Sequence, residues 1–287
     1  MKTTNDDLLY SISAEQKLID FNFKEIWRYK DLLFLFVKRD IVTLYKQTIL
    51  GPLWYLIQPL FTSLIFTLIF NNLGQIQTGS IPPFLFNLAG ITAWNYFKEC
   101  LTGTSNTFTK NQAIFGKVYF PRVIMPMSVT ISNLLKFSIQ LAIFFGFFLF
   151  YWWQGSTVAL SGLVFLFPLY VLLMALLGLG LGMLISAMTT KYRDLTILVG
   201  FGVQLLMYVS AVPYPLSEAR LKFPPLVARL VELNPLTQIT EGFRKMLLDT
   251  GSFTWTNFGY TAMISVIIFL LGLVVFNRTE KQFIDTV

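Results

Sequence analysis

The sequence predicts an all-α membrane protein with six transmembrane helices, an N-terminal amphipathic interface helix and an outer re-entrant helical hairpin before the last helix. Three observations predict it. Of the 287 residues, 55% are hydrophobic and only 13% are charged, whereas an average soluble domain carries about 25% charged residues. Mean hydropathy is +0.63. The apolar residues are gathered into long runs. A soluble fold of this length has to cover its surface with polar groups, and this chain lacks them.

Residues 1–22 are polar and contain Asp6, Asp7, Glu15 and Asp20. They read as a cytoplasmic segment with no signal peptide, so the first spanning helix is expected to act as the insertion signal. Residues 23–287 then form one transmembrane domain. Within residues 23–45, Ile26, Trp27, Tyr29, Lys30, Leu33, Phe34, Val37 and Ile41 fall largely on one helical stripe, and Lys24, Arg28, Asp31, Lys38 and Arg39 line the rest. A basic helix with tryptophan and leucine on one side lies in the membrane interface plane.

A bilayer core of about 30 Å takes about 20 apolar residues in a helix. Six runs approach or exceed that length, near 53–70, 83–101, 127–153, 160–188, 195–212 and 258–276. Gly178-Leu-Gly-Leu-Gly-Met lies inside the fourth, where small residues serve close helix packing. Between the fifth and sixth runs, residues 213–250 are too polar to span. Leu236, Ile239, Phe243, Met246 and Leu247 keep helical spacing over Pro235–Leu248, with Asn234 as cap, Pro235 as first helical residue and Gly251 past the end. Leu226–Leu233 reads as a second short helix. Together they form a hairpin on the outer side.

Orientation follows from lysine and arginine in the short loops. Residues 71–81 and 154–159 carry neither, whereas the loop after the second run carries Lys110, Lys117 and Arg122, and the loop after the fourth carries Lys191 and Arg193. Both termini are expected in the cytoplasm. The outer stretch 213–255 runs against the rule with Arg220, Lys222, Arg229, Arg244 and Lys245, nearly balanced by Glu218, Glu232, Glu241 and Asp249.

The net charge of +7 sits mainly between apolar runs, which points to the membrane surface and a soluble partner instead of nucleic acid. The single cysteine, Cys100, excludes an internal disulfide and a cysteine zinc cluster. The absence of histidine removes the commonest general base and metal ligand, which argues against a membrane enzyme such as a glycosyl- or acyltransferase. No GxxxxGK[ST] phosphate loop is present. Ion coupling uses ionisable residues inside the membrane, and here they are few: Lys98, Glu99 and Lys136, with a Glu99–Lys136 pair expected. Energy borrowed from a partner ATPase fits better.

The run Arg39-Asp-Ile-Val-Thr-Leu-Tyr-Lys-Gln-Thr-Ile-Leu-Gly-Pro-Leu-Trp54 with Gln58-Pro59, the loop Lys117-Val-Tyr-Phe-Pro-Arg122, the loop Lys191-Tyr-Arg-Asp194 and Asn234-Pro-Leu resemble the polysaccharide-exporting ABC-2 permeases over roughly residues 20 to 285. That family includes O-antigen, capsule and teichoic-acid exporters. The resemblance implies a homodimer in the bacterial plasma (inner) membrane with two copies of a separate ATPase, which binds the ATP and magnesium; no cofactor is expected in this chain. The cargo it implies is a lipid-diphosphate-linked glycan, and a small lipid or a drug is the alternative. It implies that the loop around Ile114–Arg122, including Lys117, Tyr119, Phe120, Pro121 and Arg122, docks on the ATPase, with Lys191, Tyr192, Arg193 and Asp194 as a second contact. The interface helix then offers Lys38, Arg39 and Lys46 to the diphosphate, since lysine and arginine pair strongly with phosphate. Trp54, Tyr55, Trp94, Tyr96 and Phe97 are candidates to line a sugar path by stacking, while Trp152 and Trp153 read as interface-belt residues. The outer hairpin resembles the family's extracellular gate.

Overall fold

The computed structural model describes residues 27–46, 51–115, 120–192 and 194–284, and among these no β-strand occurs. Residues 1–22, the start of the interface helix, Lys117, Tyr119 and Arg193 lie outside the described residues. The helices are α1 (Lys30–Lys46), α2 (Trp54–Phe66, continued by a π-helical turn over Thr67–Leu73), α3 (Pro83–Ser105), α4 (Thr107–Phe115), α5 (Ile124–Trp153), α6 (Phe167–Lys191, entered by a 3-10 turn over Gly162–Leu166), α7 (Leu195–Val209), α8 (Leu216–Lys222), α9 (Pro225–Leu233), α10 (Pro235–Leu248) and α11 (Trp255–Ile284).

Four helical stretches are long and apolar enough to cross a membrane: Trp54–Leu73, Ile124–Trp153, Gly162–Thr190 and Trp255–Thr279. They match the first, third, fourth and sixth predicted runs. The fifth run is a shorter apolar helix, Leu195–Val209. The second run is α3, 23 residues long, whose Asn87, Asn95, Lys98 and Glu99 dilute its apolar character. The polar content of α3 reflects its surroundings. It is packed against α2, α5, α6 and α10, so other helices cover it instead of lipid. The third run begins three residues earlier than expected, at Ile124, and the sixth extends to Ile284.

The centre is a layer of three helices, α3, α6 and α11. The glycines of α6 set its spacing. A methyl on Gly178 or Gly182 would press on Cys100, Phe97, Leu101 and Thr104 of α3. One on Gly180 would press on the α11 backbone at Ile268 and Phe269, and Gly272 of α11 in turn meets the Gly180 carbonyl. The run Gly178–Gly182 therefore packs two neighbours from alternate sides of one helix. Close backbone approach of this kind drives helix association where lipid offers no hydrophobic gain.

Pro59 sits inside α2 and removes the helical donor to the Tyr55 carbonyl. The hydroxyls of Thr62 and Ser63 donate to the Gln58 and Pro59 carbonyls at 2.9 and 2.7 Å, so both hydroxyls are satisfied within the helix. α1 lies against α5, with Phe36 and Val37 buried and Trp27, Phe34 and Leu35 exposed. The buried edge of α1 thus runs through Tyr29, Leu32, Leu33 and Phe36, rotated from the stripe predicted through Trp27 and Phe34.

Candidate functional site

α4 follows α3 after a one-residue turn at Asn106, and the chain returns through Phe120–Val123 into α5. Phe115 and Phe120 lie 5.8 Å apart, Phe36 of α1 is 5.7 Å from Phe120, and Phe108 stacks on Phe276 at 4.6 Å. Arg122 is buried, with its guanidinium 5.0 Å from the Phe115 ring centre. Phe120 and Arg122 are therefore turned into the protomer as the base of the loop, while Pro121 is partly exposed. The second predicted contact is a tight connection in which Tyr192 ends α6 and Asp194 opens α7, both exposed.

On α1, Lys38 and Arg39 are exposed, and Lys46 is exposed in the last turn. Arg39 donates to the Asp40 carboxylate at 2.8 Å and lies over the Phe36 ring at 4.8 Å. Its charge is thus shared with a neighbour, whereas Lys38 stands beside it on the exposed side.

The aromatic candidates separate into two groups. Trp54 is exposed and Tyr55 partly so, at the start of α2. Trp94, Tyr96 and Phe97 are buried inside the protomer, with Tyr96 5.1 Å from Phe137 of α5 and Trp94 5.4 Å from Phe97. These three build the core of the helix layer and face no open path in the protomer.

The expected Glu99–Lys136 pair forms at 2.9 Å between α3 and α5, with Lys98 3.8 Å from the same carboxylate and the Lys136 ammonium 5.1 Å from the Tyr55 ring. One turn farther along both helices, Asn95 donates to Gln140 at 3.3 Å. Asn87 donates to Thr67 and Asn71 of the first span at 3.1 and 2.9 Å. Sequence reading missed these amide contacts. The spacing of Asn87, Asn95 and Glu99 on one helical face is the signal that carried them.

Residues 213–250, expected as an outer hairpin, fold as α8, α9 and α10. Four of the five basic residues that sequence reading singled out there pair with acids of the same stretch: Arg220 with Glu232, Lys222 with Glu218 at 2.9 Å, Arg244 with Glu241 at 3.3 Å and Lys245 with Asp249 at 2.8 Å. Asn234 caps α10 by accepting from the Leu236 amide at 3.0 Å, and Pro235 takes the first position, as predicted. Arg244 and Glu241 are buried. Burial pushes the Arg244 guanidinium down to about 10, opposed by Glu241, so it stays charged at neutral pH.

The family described as ABC-2 type transporter matches residues 31–248. The chain belongs to that family. It is a multi-pass membrane protein and the permease of an ABC exporter, and membership implies an ATPase partner. An O-antigen export system permease protein RfbA of Klebsiella pneumoniae is 25% identical over 256 residues, covering 89% of this chain and 94% of that one. A protein of the same name from Myxococcus xanthus is 24% identical over 266 residues, covering 92% and 98%. A capsule polysaccharide export inner-membrane protein CtrC of Neisseria meningitidis serogroup A is 23% identical over 254 residues, covering 85% and 89%. The permease matches these relatives along nearly their whole length.

Proposed function

We propose that this permease moves a lipid-diphosphate-linked polysaccharide of the O-antigen class outward across a bacterial inner membrane, as a homodimer driven by two copies of a separate ATPase. The observation that carries the reading is the near full-length similarity to O-antigen permeases from two genera and to a capsule permease. The capsule relative makes a capsular polymer the second cargo to test.

In this reading α3 and α7 also cross the bilayer, giving six spans with both termini inside. ATP-driven movement of the partner enters through the loops at 114–122 and 191–194. Lys117, Tyr119 and Pro121 touch the ATPase on a base made by Phe120 and Arg122, whose burial suits support better than contact. Lys191, Tyr192, Arg193 and Asp194 form the second contact. Lys38, Arg39 and Lys46 draw the diphosphate headgroup toward the membrane interface, with Lys38 the stronger member because Asp40 shares the Arg39 charge. Trp54 and Tyr55 stack on sugars at the inner mouth of the path. Trp94, Tyr96 and Phe97 drop out of that lining because they are buried within the protomer. The protein performs no covalent step.

The test is co-purification with the partner ATPase, reconstitution in lipid, and ATP hydrolysis measured against a panel of lipid-linked glycans. Stimulation by an O-antigen or capsule precursor, together with its appearance inside inverted vesicles, is the expected result. Stimulation by drugs or free lipids alone would sink the reading. Lys117→Glu is expected to lower ATPase binding without lowering permease abundance.

A further inference from the structure

The turn at 210–215, between α7 and α8, is held by side chains of α10. Ala211 holds φ +51° there and is completely buried. A side chain in that left-handed conformation is held in place only by its surroundings. Arg244 supplies them. Its Nη1 donates to the Ala211 carbonyl at 2.9 Å and the Tyr214 carbonyl at 3.4 Å, and its Nη2 donates to the Val212 carbonyl. The guanidinium lies 3.7 Å from the centre of the Phe86 ring on α3, in a notch at Gly90 that a methyl group would fill. Glu241 completes the clamp by accepting from Arg244 at 3.3 Å, from the Leu216 amide at 3.4 Å and from the Ser252 amide at 3.1 Å. Asn234 Nδ2 donates to the Val209 carbonyl at 3.3 Å and to Ser210 Oγ at 3.0 Å.

α7 packs mainly through Val199, Val203, Leu206 and Met207, with Tyr208 6.5 and 6.4 Å from Phe66 and Phe70. Val203 is its buried residue, while Ile197, Leu198 and Phe201 are 81, 64 and 63% exposed. α7 starts at Asp194 and ends at this turn, so one helix links the second cytoplasmic loop to the Arg244 clamp.

We propose that Arg244 is a positioning residue for export: it fixes the 210–214 turn so that α7, displaced at its inner end, pivots about a stationary outer end. What displaces α7 rests on the function proposed above. The fixed pivot does not.

The test uses the complete permease–ATPase complex in nanodiscs. Arg244→Lys keeps the charge beside Glu241 but lacks the fork that reaches three carbonyls. The amides of Ser210, Ala211, Val212 and Tyr214 are expected to exchange about tenfold faster, while those of α10 keep wild-type protection. Glycan export is expected to fall about tenfold with ATP hydrolysis within about twofold of wild type. Adding Ala211→Gly should restore export, because glycine holds a positive φ without a Cβ clash. Should Arg244→Lys fail to accumulate in membranes, Asn234→Asp carries the test. It keeps the acceptor for the Leu236 amide, removes the donor to Val209 and Ser210, and should show the same local exchange with an export loss of about threefold.

A wild-type complex that exports no glycan refutes the cargo alone; the exchange pattern then still decides the pivot. Unchanged exchange at 210–214, faster exchange spread through α10, wild-type export in an exporting system, or no rescue by Ala211→Gly each overturns the pivot.

Discussion

α7 and α10 are joined through one turn and the short helices α8 and α9, and they are built in opposite senses. α7 is apolar along its length and buries one residue, Val203. α10 carries Thr237, Gln238, Thr240, Glu241 and Arg244 and buries 12 of its 14 residues. In water the reverse would hold. The pair shows what a bilayer does to the usual rule. Apolar helices can stay bare because lipid is as apolar as leucine, whereas a polar helix must be wrapped by protein that satisfies it. Within the protomer one helix is largely bare and the other is wrapped, and each property follows from composition.

The largest expected break in that contrast is Arg244→Met. It leaves Glu241 buried beside the Leu216 and Ser252 amides without its cation, and removing one partner of a buried pair costs about 3–5 kcal/mol. Loss of folded protein from membranes, or a steep fall in the detergent melting temperature, checks it. Next comes Phe120→Ala. Phe120 is 3% exposed between α1, α4 and α5, and truncating a buried aromatic costs about 3–5 kcal/mol, toward the low end where the site can relax. Proteolysis at α1 should rise with the loss of stability. Glu99→Gln should cost about 1 kcal/mol or less, since the carboxylate is 37% exposed and such pairs are weak. Its thermal shift should therefore be far smaller than that of Arg244→Met. The smallest effect belongs to Gly200→Ala and Gly202→Ala on α7. A methyl at either meets nothing within 4 Å, so monomer stability should change by less than about 1 kcal/mol, in the stabilising direction. A bulky Gly200→Leu that leaves the protomer folded but abolishes dimers in cross-linking would show that a second copy covers this face.

Four of the six expected spans and the α10 cap were legible because they depend on local rules. A run of about 20 apolar residues reads as a membrane helix whatever surrounds it, and Asn234-Pro235 announces a helix start by its own hydrogen bonding. The side-chain environments were less legible. Trp94, Tyr96 and Phe97 are aromatic residues of α3, and sequence alone does not separate a core face from a lipid face when both are apolar. Neighbours such as Phe137, 5.1 Å from Tyr96, decide it. Arg244 read as a breach of the charge rule because its partners, Ala211, Val212 and Phe86, come from other elements. Thr237, Glu241 and Arg244 do share one helical face, which was the readable trace of a buried polar seam.

The glycine run of α6 has a practical corollary. Cys100 is wholly buried, and a methyl on Gly178 would press on its Cβ. The chain holds no other thiol. In the folded permease that sulfur is sealed in the α3–α6 seam and closed to maleimides, so any cysteine introduced on the surface reports from its own position in an otherwise unaltered chain. Conversely, labelling of the native chain under mild denaturant times the moment when the two helices part.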